Sequence, residues 1–266
     1  MTDALVTYDR GDDGVAVLTL ADPPANTYSY EMMKQLDWFI LDARMDDDVH
    51  VLILTGAGAK FFSAGADIKM LASAGRRFKY FFCLHANETL NRLEQTPKLV
   101  VAALNGHCVG GGLEVAMAAD LRIARKGAGK IGLPEVGLGV LPGTGGTQRL
   151  SRLVGKARAF ELMATGRLME FEEALALGIV NEVIEADSPE AFQQRVRERA
   201  REFAPPARAS KVVGYIKRAV QSGTESAFGE ALALERELQQ QLFESQDARE
   251  GVAAYLEKRP PAFKGR

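Results

Sequence analysis

From residue 5 to about residue 185 the chain alternates short β-branched runs with stretches of helical periodicity, and after Ser188 that alternation stops. Residues 5–8 and 15–20 read as strands joined by a Gly11-Asp12-Asp13-Gly14 turn. Residues 29–46 space Met32, Met33, Leu36, Phe39 and Ile40 as a helix does, with Ser29 as its cap. Val51-Leu52-Ile53-Leu54-Thr55 is a buried strand ending at Gly56. Residues 81–93 read as helix, 99–104 as strand, 111–118 as a small-residue helix, 121–124 as strand and 180–184 as the last strand. Such alternation predicts an α/β architecture with a largely parallel sheet or stacked turns. No transparent sequence repeat or low-complexity tract accompanies it.

The remainder is different in kind. Residues 188–203, 206–222, 225–243 and 246–256 read as helices rich in Glu, Arg, Ala and Gln, broken at Pro205-Pro206, Ser222-Gly223 and Ser245-Gln246. The chain therefore divides into a core over 1–187 and a helical module over 188–266 whose apolar faces are available to a partner subunit. At 266 residues, with 47% hydrophobic and 26% charged residues, it can bury one substantial core. A net charge of −2 lacks the basic excess of nucleic-acid binders. No apolar run spans a bilayer, and Met1-Thr2-Asp3-Ala4 begins no signal peptide. Two cysteines, Cys83 and Cys108, are too few for a disulfide scaffold, so a cytoplasmic location is expected.

Three glycine-rich frames carry the candidate chemistry: Gly65-Ala66-Asp67, Gly110-Gly111-Gly112-Leu113-Glu114 and Leu133-Pro134-Glu135-Val136-Gly137. The glycine triplet opens a helix, where unpaired N–H groups and the positive end of the macrodipole face outward. Gly111, without a side chain, admits an oxygen close to its N–H; the alternative is that the triplet only allows close helix–strand packing. Its spacing does not fit a dinucleotide-binding G-x-G-x-x-G. Glu114 complements the helix dipole, yet its helix is apolar on nearly all sides, and a carboxylate there needs a partner or a function. Glu135, set by Pro134, is either a loop glutamate bonded to neighbouring N–H groups or part of the same site. The apolar run 137–146 after it is expected to wrap a pocket. Ala66 offers a second N–H, and Asp67 is expected to cap the next helix rather than react. Ser63 lacks a nucleophile elbow, 143–147 is no phosphate loop, and His50, His85 and His107 lack metal-ligand spacing.

These residues resemble the crotonase superfamily, and within it the enoyl-CoA hydratase/isomerase family. The matching blocks are Phe62-Ser63-Ala64-Gly65-Ala66-Asp67-Ile68-Lys69, Asn105-Gly106 with the triplet and Glu114, Leu133-Pro134-Glu135, and Pro142-Gly143-Thr144-Gly145-Gly146-Thr147-Gln148-Arg149-Leu150. Leu153-Val154-Gly155-Lys156-Ala157, the blocks around Glu172 and Gly178, and Lys258-Arg259-Pro260-Pro261-Ala262-Phe263 extend the likeness over nearly the whole chain. The resemblance implies a crotonase-like spiral core of ββα turns with a helical C-terminal trimerisation module, assembled as a homotrimer or dimer of trimers. It implies an acyl-CoA thioester substrate, a place in fatty-acid β-oxidation, and no metal or further cofactor, coenzyme A being part of the substrate. The thioester oxygen is expected to accept from the N–H groups of Ala66 and Gly111, with Asp67, Ile68 and Lys69 in the substrate-binding stretch. Glu114 would hold and deprotonate water, and Glu135 would handle the α-proton. Two such carboxylates split their pKa values, and their titration belongs to the pair.

The acyl end departs from the family pattern. Tyr28 stands where an aliphatic residue is common, and Phe78, Tyr80, Phe81 and Phe82 occupy a stretch where acyl specificity varies. With Met70, Tyr28 and Phe82 are candidates for the acyl pocket, or the aromatic residues simply pack a helix. The expected reaction is reversible hydration of a 2-enoyl-CoA to the 3-hydroxyacyl-CoA. The alternatives are a branched-substrate hydratase of the 3-methylglutaconyl-CoA type, an enoyl-CoA isomerase, and a non-catalytic acyl-CoA- or RNA-binding homologue.

Overall fold

A computed structural model describes residues 4–266; the signal-peptide reading of Met1-Thr2-Asp3 lies outside the described residues. In chain order the elements are β1 (Val6–Arg10), β2 (Val15–Leu20), α1 (Tyr30–Met45), β3 (Val51–Gly56), β4 (Phe61–Ser63), α2 (Ile68–Ser73) and α3 (Arg76–Glu94). Then follow β5 (Leu99–Leu104), β6 (His107–Val109), α4 (Gly111–Met117), β7 (Leu121–Arg125), β8 (Lys130–Gly132) and a 3₁₀ turn over Glu135–Leu138. The chain continues through α5 (Gly146–Val154), α6 (Lys156–Thr165), β9 (Met169–Glu170), α7 (Phe171–Ala176) and β10 (Glu182–Ile184). It ends in α8 (Pro189–Arg201), α9 (Ser210–Thr224), α10 (Phe228–Phe243) and α11 (Gln246–Glu257).

The longer strands form one six-stranded sheet in the order β1-β2-β3-β5-β7-β10, parallel throughout except for the β1–β2 pair. Both faces of its centre are covered, which is why β3 and β5 read as unbroken apolar runs. Leu52, Leu54, Val100, Ala102 and Leu104 face the main core with Met32, Leu36 and Ile40 of α1 and Leu90 and Leu93 of α3. The alternate residues Val51, Ile53, Val101 and Ala103 face Phe192, Val196 and Ala200 of α8.

A second sheet, β4-β6-β8-β9, escaped the sequence reading because its strands are only two or three residues long. No period is legible over so few positions. This sheet nevertheless supplies the repeat. A first-sheet strand, a short second-sheet strand and a helix follow one another as β3-β4-α2/α3, then β5-β6-α4, then β7-β8 and the 3₁₀ turn with α5. Each unit is one ββα turn of a spiral. Because β4, β6 and β8 are parallel neighbours, with Phe61 opposite His107 and Cys108 opposite Ile131, their carboxyl ends lie on one edge.

Several boundaries move. The helix expected from 81 begins at Arg76, because its first turns are largely exposed and give no apolar stripe: Phe78, Tyr80 and Phe81 all face solvent. The strand expected from 180 begins at Glu182, since the N–H groups of Ile179 and Val180 close onto the Ala174 carbonyl. The helices expected from 206 and 225 begin at Ser210 and Phe228; prolines 205 and 206 lack an N–H donor, and Glu225 caps α9 instead. Ser29 does cap α1, accepting from the Met32 N–H at 3.2 Å.

One buried residue ties the strand ends together. Asn26, at φ 48°, donates from Nδ2 to the carbonyls of Ala57 and Phe61 and accepts from the Asp22 N–H, while its own carbonyl takes the Ser63 hydroxyl. Asparagine tolerates the left-handed region better than residues with an apolar Cβ substituent. Asn26→Ala should therefore destabilise by roughly 2–3 kcal/mol, from orphaned carbonyls plus the backbone cost. A urea melt unchanged from wild type would show that Asn26 is not the tie.

Candidate active site

The three frames leave the carboxyl ends of β4, β6 and β8, so Ala66, Gly111 and Glu135 emerge side by side. Gly65, at φ 91°, lets the first frame press so close that a Cβ on it would lie 2.7 Å from the Gly111 nitrogen. Gly110, at φ 56° and ψ −134°, turns the second frame into α4. Ala66 pairs with Tyr28 through an isolated parallel bridge. In that bridge Tyr28 donates to the Gly65 carbonyl and accepts from the Asp67 N–H, which leaves the Ala66 N–H pointing away from it. Gly111, first residue of α4, has no acceptor one helical turn back. Among the described residues neither N–H meets a protein acceptor, and the two frames adjoin.

Glu114 sits one turn into α4 and is 2% exposed. Its Oε1 accepts from the N–H groups of Thr144 at 2.8 Å and Gly146 at 2.7 Å, and its Oε2 accepts from the Thr144 hydroxyl. A carboxylate has about four lone-pair positions; three are taken, and the open one is on Oε2. Burial pushes the Glu114 pKa up, against the Thr144 hydroxyl, the two N–H groups and the charge of Arg149. Arg149 in turn binds the Thr144 carbonyl at 3.3 Å and pairs with Glu94 at 2.8 Å, and so holds the loop in place.

Glu135 opens the 3₁₀ turn on the other side of the glycine frame. A Cβ on Gly110 would meet its Oε1 at 3.1 Å. Its Oε2 is buried and, among the described residues, has no hydrogen-bond partner. Desolvation, with the nearby Glu114 charge adding to it, lifts the Glu135 pKa to about 7. The two carboxylates thus differ in kind: Glu114 is held by three donors, whereas Glu135 is bonded only by its own backbone N–H, leaves its buried Oε2 without a partner among the described residues, and has its pKa lifted to about 7.

The other sequence candidates are placed unevenly. Asp67 caps α2, accepting from the Lys69 and Met70 N–H groups. Ile68 and Lys69 are exposed on the outer face of that helix, and Met70 is half-buried against the core. Tyr28 is fully buried: its ring centroid lies 6.0 Å from that of Phe82, and a Cβ on Gly111 would come within 2.1 Å of its hydroxyl. The run after Glu135 behaves in two ways. Val136, Leu138, Val140 and Leu141 face solvent, while Thr144 and Gly146 close over Glu114. The roles of Thr144, Gly146 and Arg149 were not legible from sequence; a threonine among glycines carries no signal until a carboxylate is placed against it. Among the described residues no group of three or more His, Cys, Asp or Glu converges to hold a metal.

The family model for enoyl-CoA hydratase/isomerase matches residues 10–266. A "Short-chain-enoyl-CoA hydratase" of Clostridium acetobutylicum is 40% identical over 258 residues, 95% of each chain. A "Probable enoyl-CoA hydratase" of Bacillus subtilis is 39% identical over 96% of each. Among solved structures, "Enoyl-CoA hydrates" from Geobacillus kaustophilus superposes with a TM-score of 0.95 at 46% identity, covering 100% of this chain and 98% of that one.

Proposed function

Since the chain belongs to the enoyl-CoA hydratase/isomerase family, we propose that it reversibly hydrates a 2-enoyl-CoA to the 3-hydroxyacyl-CoA. The observation that carries this reading is the pair of unlike carboxylates flanking the Ala66 and Gly111 N–H groups. The thioester oxygen would lie between those N–H groups, which stabilise the negative charge that grows there as an enolate forms. Water held at the open Oε2 position of Glu114 attacks the β-carbon and gives up a proton to that carboxylate. Protonated Glu135 delivers its proton to the α-carbon, and both glutamates then reset by exchange with solvent. Removing one oxyanion donor typically lowers the rate about 10²–10³-fold, so the two N–H groups and the two acids are all needed.

The test is direct. Incubation with a short 2-enoyl-CoA should bleach the conjugated thioester absorbance and place oxygen-18 from labelled water at the β-carbon. Double-bond migration without oxygen-18 would instead establish isomerisation, and a branched substrate turning over far faster than linear ones would identify the specialised hydratase. The free thiols of Cys83 and Cys108 are in keeping with a reducing cytoplasm. We further propose that exposed apolar residues on the C-terminal helices, among them Ile216, Phe228 and Phe243, are covered in a homotrimer or dimer of trimers. Light scattering should give three or six times the mass of one chain, and a monomeric mass would overturn the assembly.

A further inference from the structure

The buried face behind Glu114 holds two hydroxyls that the reaction scheme does not use. The Tyr28 hydroxyl and the Thr144 Oγ1 are 3.1 Å apart, and Thr144 Oγ1 also contacts Glu114 Oε2. Direction in this chain follows once Glu114 is ionised, as its proposed role of proton acceptor requires. An ionised carboxylate only accepts, so the single Thr144 hydroxyl hydrogen goes to Glu114, and Tyr28 must donate to Thr144. Tyr28 can do so at any working pH, because complete burial and the Glu114 charge hold its phenol well above its usual pKa. Each bond polarises the next, so the phenol strengthens the bond that Thr144 makes to the carboxylate.

We propose that Tyr28 and Thr144 form a hydroxyl relay that fixes Glu114 in one orientation and in its proton-accepting form; both are positioning residues. The inference deepens the hydratase reading and rests on it for the role of Glu114. The oxygen that receives the Thr144 hydrogen, Oε2, is also the one with the open lone pair. The relay therefore sets where a water would be held as well as how basic its acceptor is. Other charged or titratable groups facing Glu114 are Arg149 on α5, Cys83 on α3 and Glu135 on the 3₁₀ turn. Of these, Arg149 helps keep Glu114 charged, whereas Glu135 opposes a second charge beside it. None of the three is hydrogen-bonded to the Glu114 carboxylate among the described residues.

The test compares Thr144→Val, Thr144→Ser and Tyr28→Phe. Infrared difference spectra of ¹³C-glutamate-labelled, substrate-free protein follow the Glu114 band through its titration, the band being identified by its loss in Glu114→Gln. Thr144→Val should move that titration to higher pH and lower kcat by about tenfold or more. Thr144→Ser should restore both. Tyr28→Phe, which removes one oxygen and keeps the ring in place, should move the titration the same way by less. A Glu114 titration unmoved in Thr144→Val or in Tyr28→Phe overturns the relay, as does a Thr144→Ser variant as impaired as Thr144→Val. Should Thr144→Val fail to fold, the Tyr28→Phe titration decides alone. The infrared readout needs no turnover, so the relay can fail while hydration stands, or the reverse.

Discussion

On the proposed hydration, Glu135→Gln should lower kcat by about 10²–10⁴-fold, the range expected when a proton donor in the transition state is lost. The pH profile expected of the wild type follows from the same assignment. In the hydration direction kcat/KM should fall as pH rises through about 7, where Glu135 loses its proton, and should fall again at low pH as Glu114 gains one. Dehydration needs Glu135 as base, so its rate rises through the same region. The apparent values belong to the coupled pair, and each limb is read as a property of both carboxylates. In the Glu135→Gln variant stability should move the other way from activity. With its folded pKa raised from 4.5 to about 7, Glu135 contributes stability that is fully present below 4.5 and is lost as pH rises through about 7. Glutamine cannot ionise, so the variant should melt above wild type in alkaline buffer while being nearly inactive. A Glu135→Gln protein with wild-type turnover and an unchanged alkaline limb would sink the assignment.

Lys217→Met should destabilise the fold by about 3–5 kcal/mol, the usual consequence of leaving one charge of a buried pair alone. Lys217 on α9 meets Asp120, just before β7, at 2.8 Å and donates to the Lys98 carbonyl at 3.0 Å. Gln221, one turn further along α9, donates to the same carboxylate at 3.1 Å. Burial pushes Asp120 up and Lys217 down in spite of their mutual attraction. Desolvation thus offsets the mutual attraction, so the pair joins α9 to the start of β7 at little net gain while costing much if one partner is removed. Changing Asp120→Leu together with Lys217→Met should recover part of the loss; the Val100 N–H, which donates to Asp120 at 2.8 Å, keeps the recovery incomplete. By contrast Arg152→Met, which breaks an exposed pair with Glu225, should leave the urea midpoint nearly unchanged. If Lys217→Met behaves like Arg152→Met, the buried pair does not hold the module.

The fold was legible for most of the longer elements, though α5 and α6, helices of nine and ten residues, went unassigned from sequence. The six-residue runs of β2, β3 and β5 announce buried strands, and α1 announces its face through Met32, Leu36 and Ile40. The second sheet was not legible, because His107-Cys108-Val109 or Lys130-Ile131-Gly132 carries no pattern that distinguishes a strand from a loop. Glycine frames and an acid inside an apolar helix were visible as oddities of composition. What surrounds them was not: the Thr144 N–H and hydroxyl reach Glu114 across 30 positions, and Tyr28 reaches Thr144 across 116.

By itself the amino-acid sequence determined the α/β alternation, the helical C-terminal third and the residue types available for chemistry, because periodicity, capping and glycine content are local properties of a chain. It determined the family as well, through ordered motifs spread along nearly its whole length. Only the tertiary structure decided that the Gly65-Ala66 frame lies against Gly111, and which carboxylate is held by three donors while the other keeps a buried oxygen without a partner among the described residues. The reason is physical: oxyanion geometry and a split pair of acids depend on desolvation and on contacts between adjacent turns of the spiral. A carboxylate's environment is set by the segments packed against it.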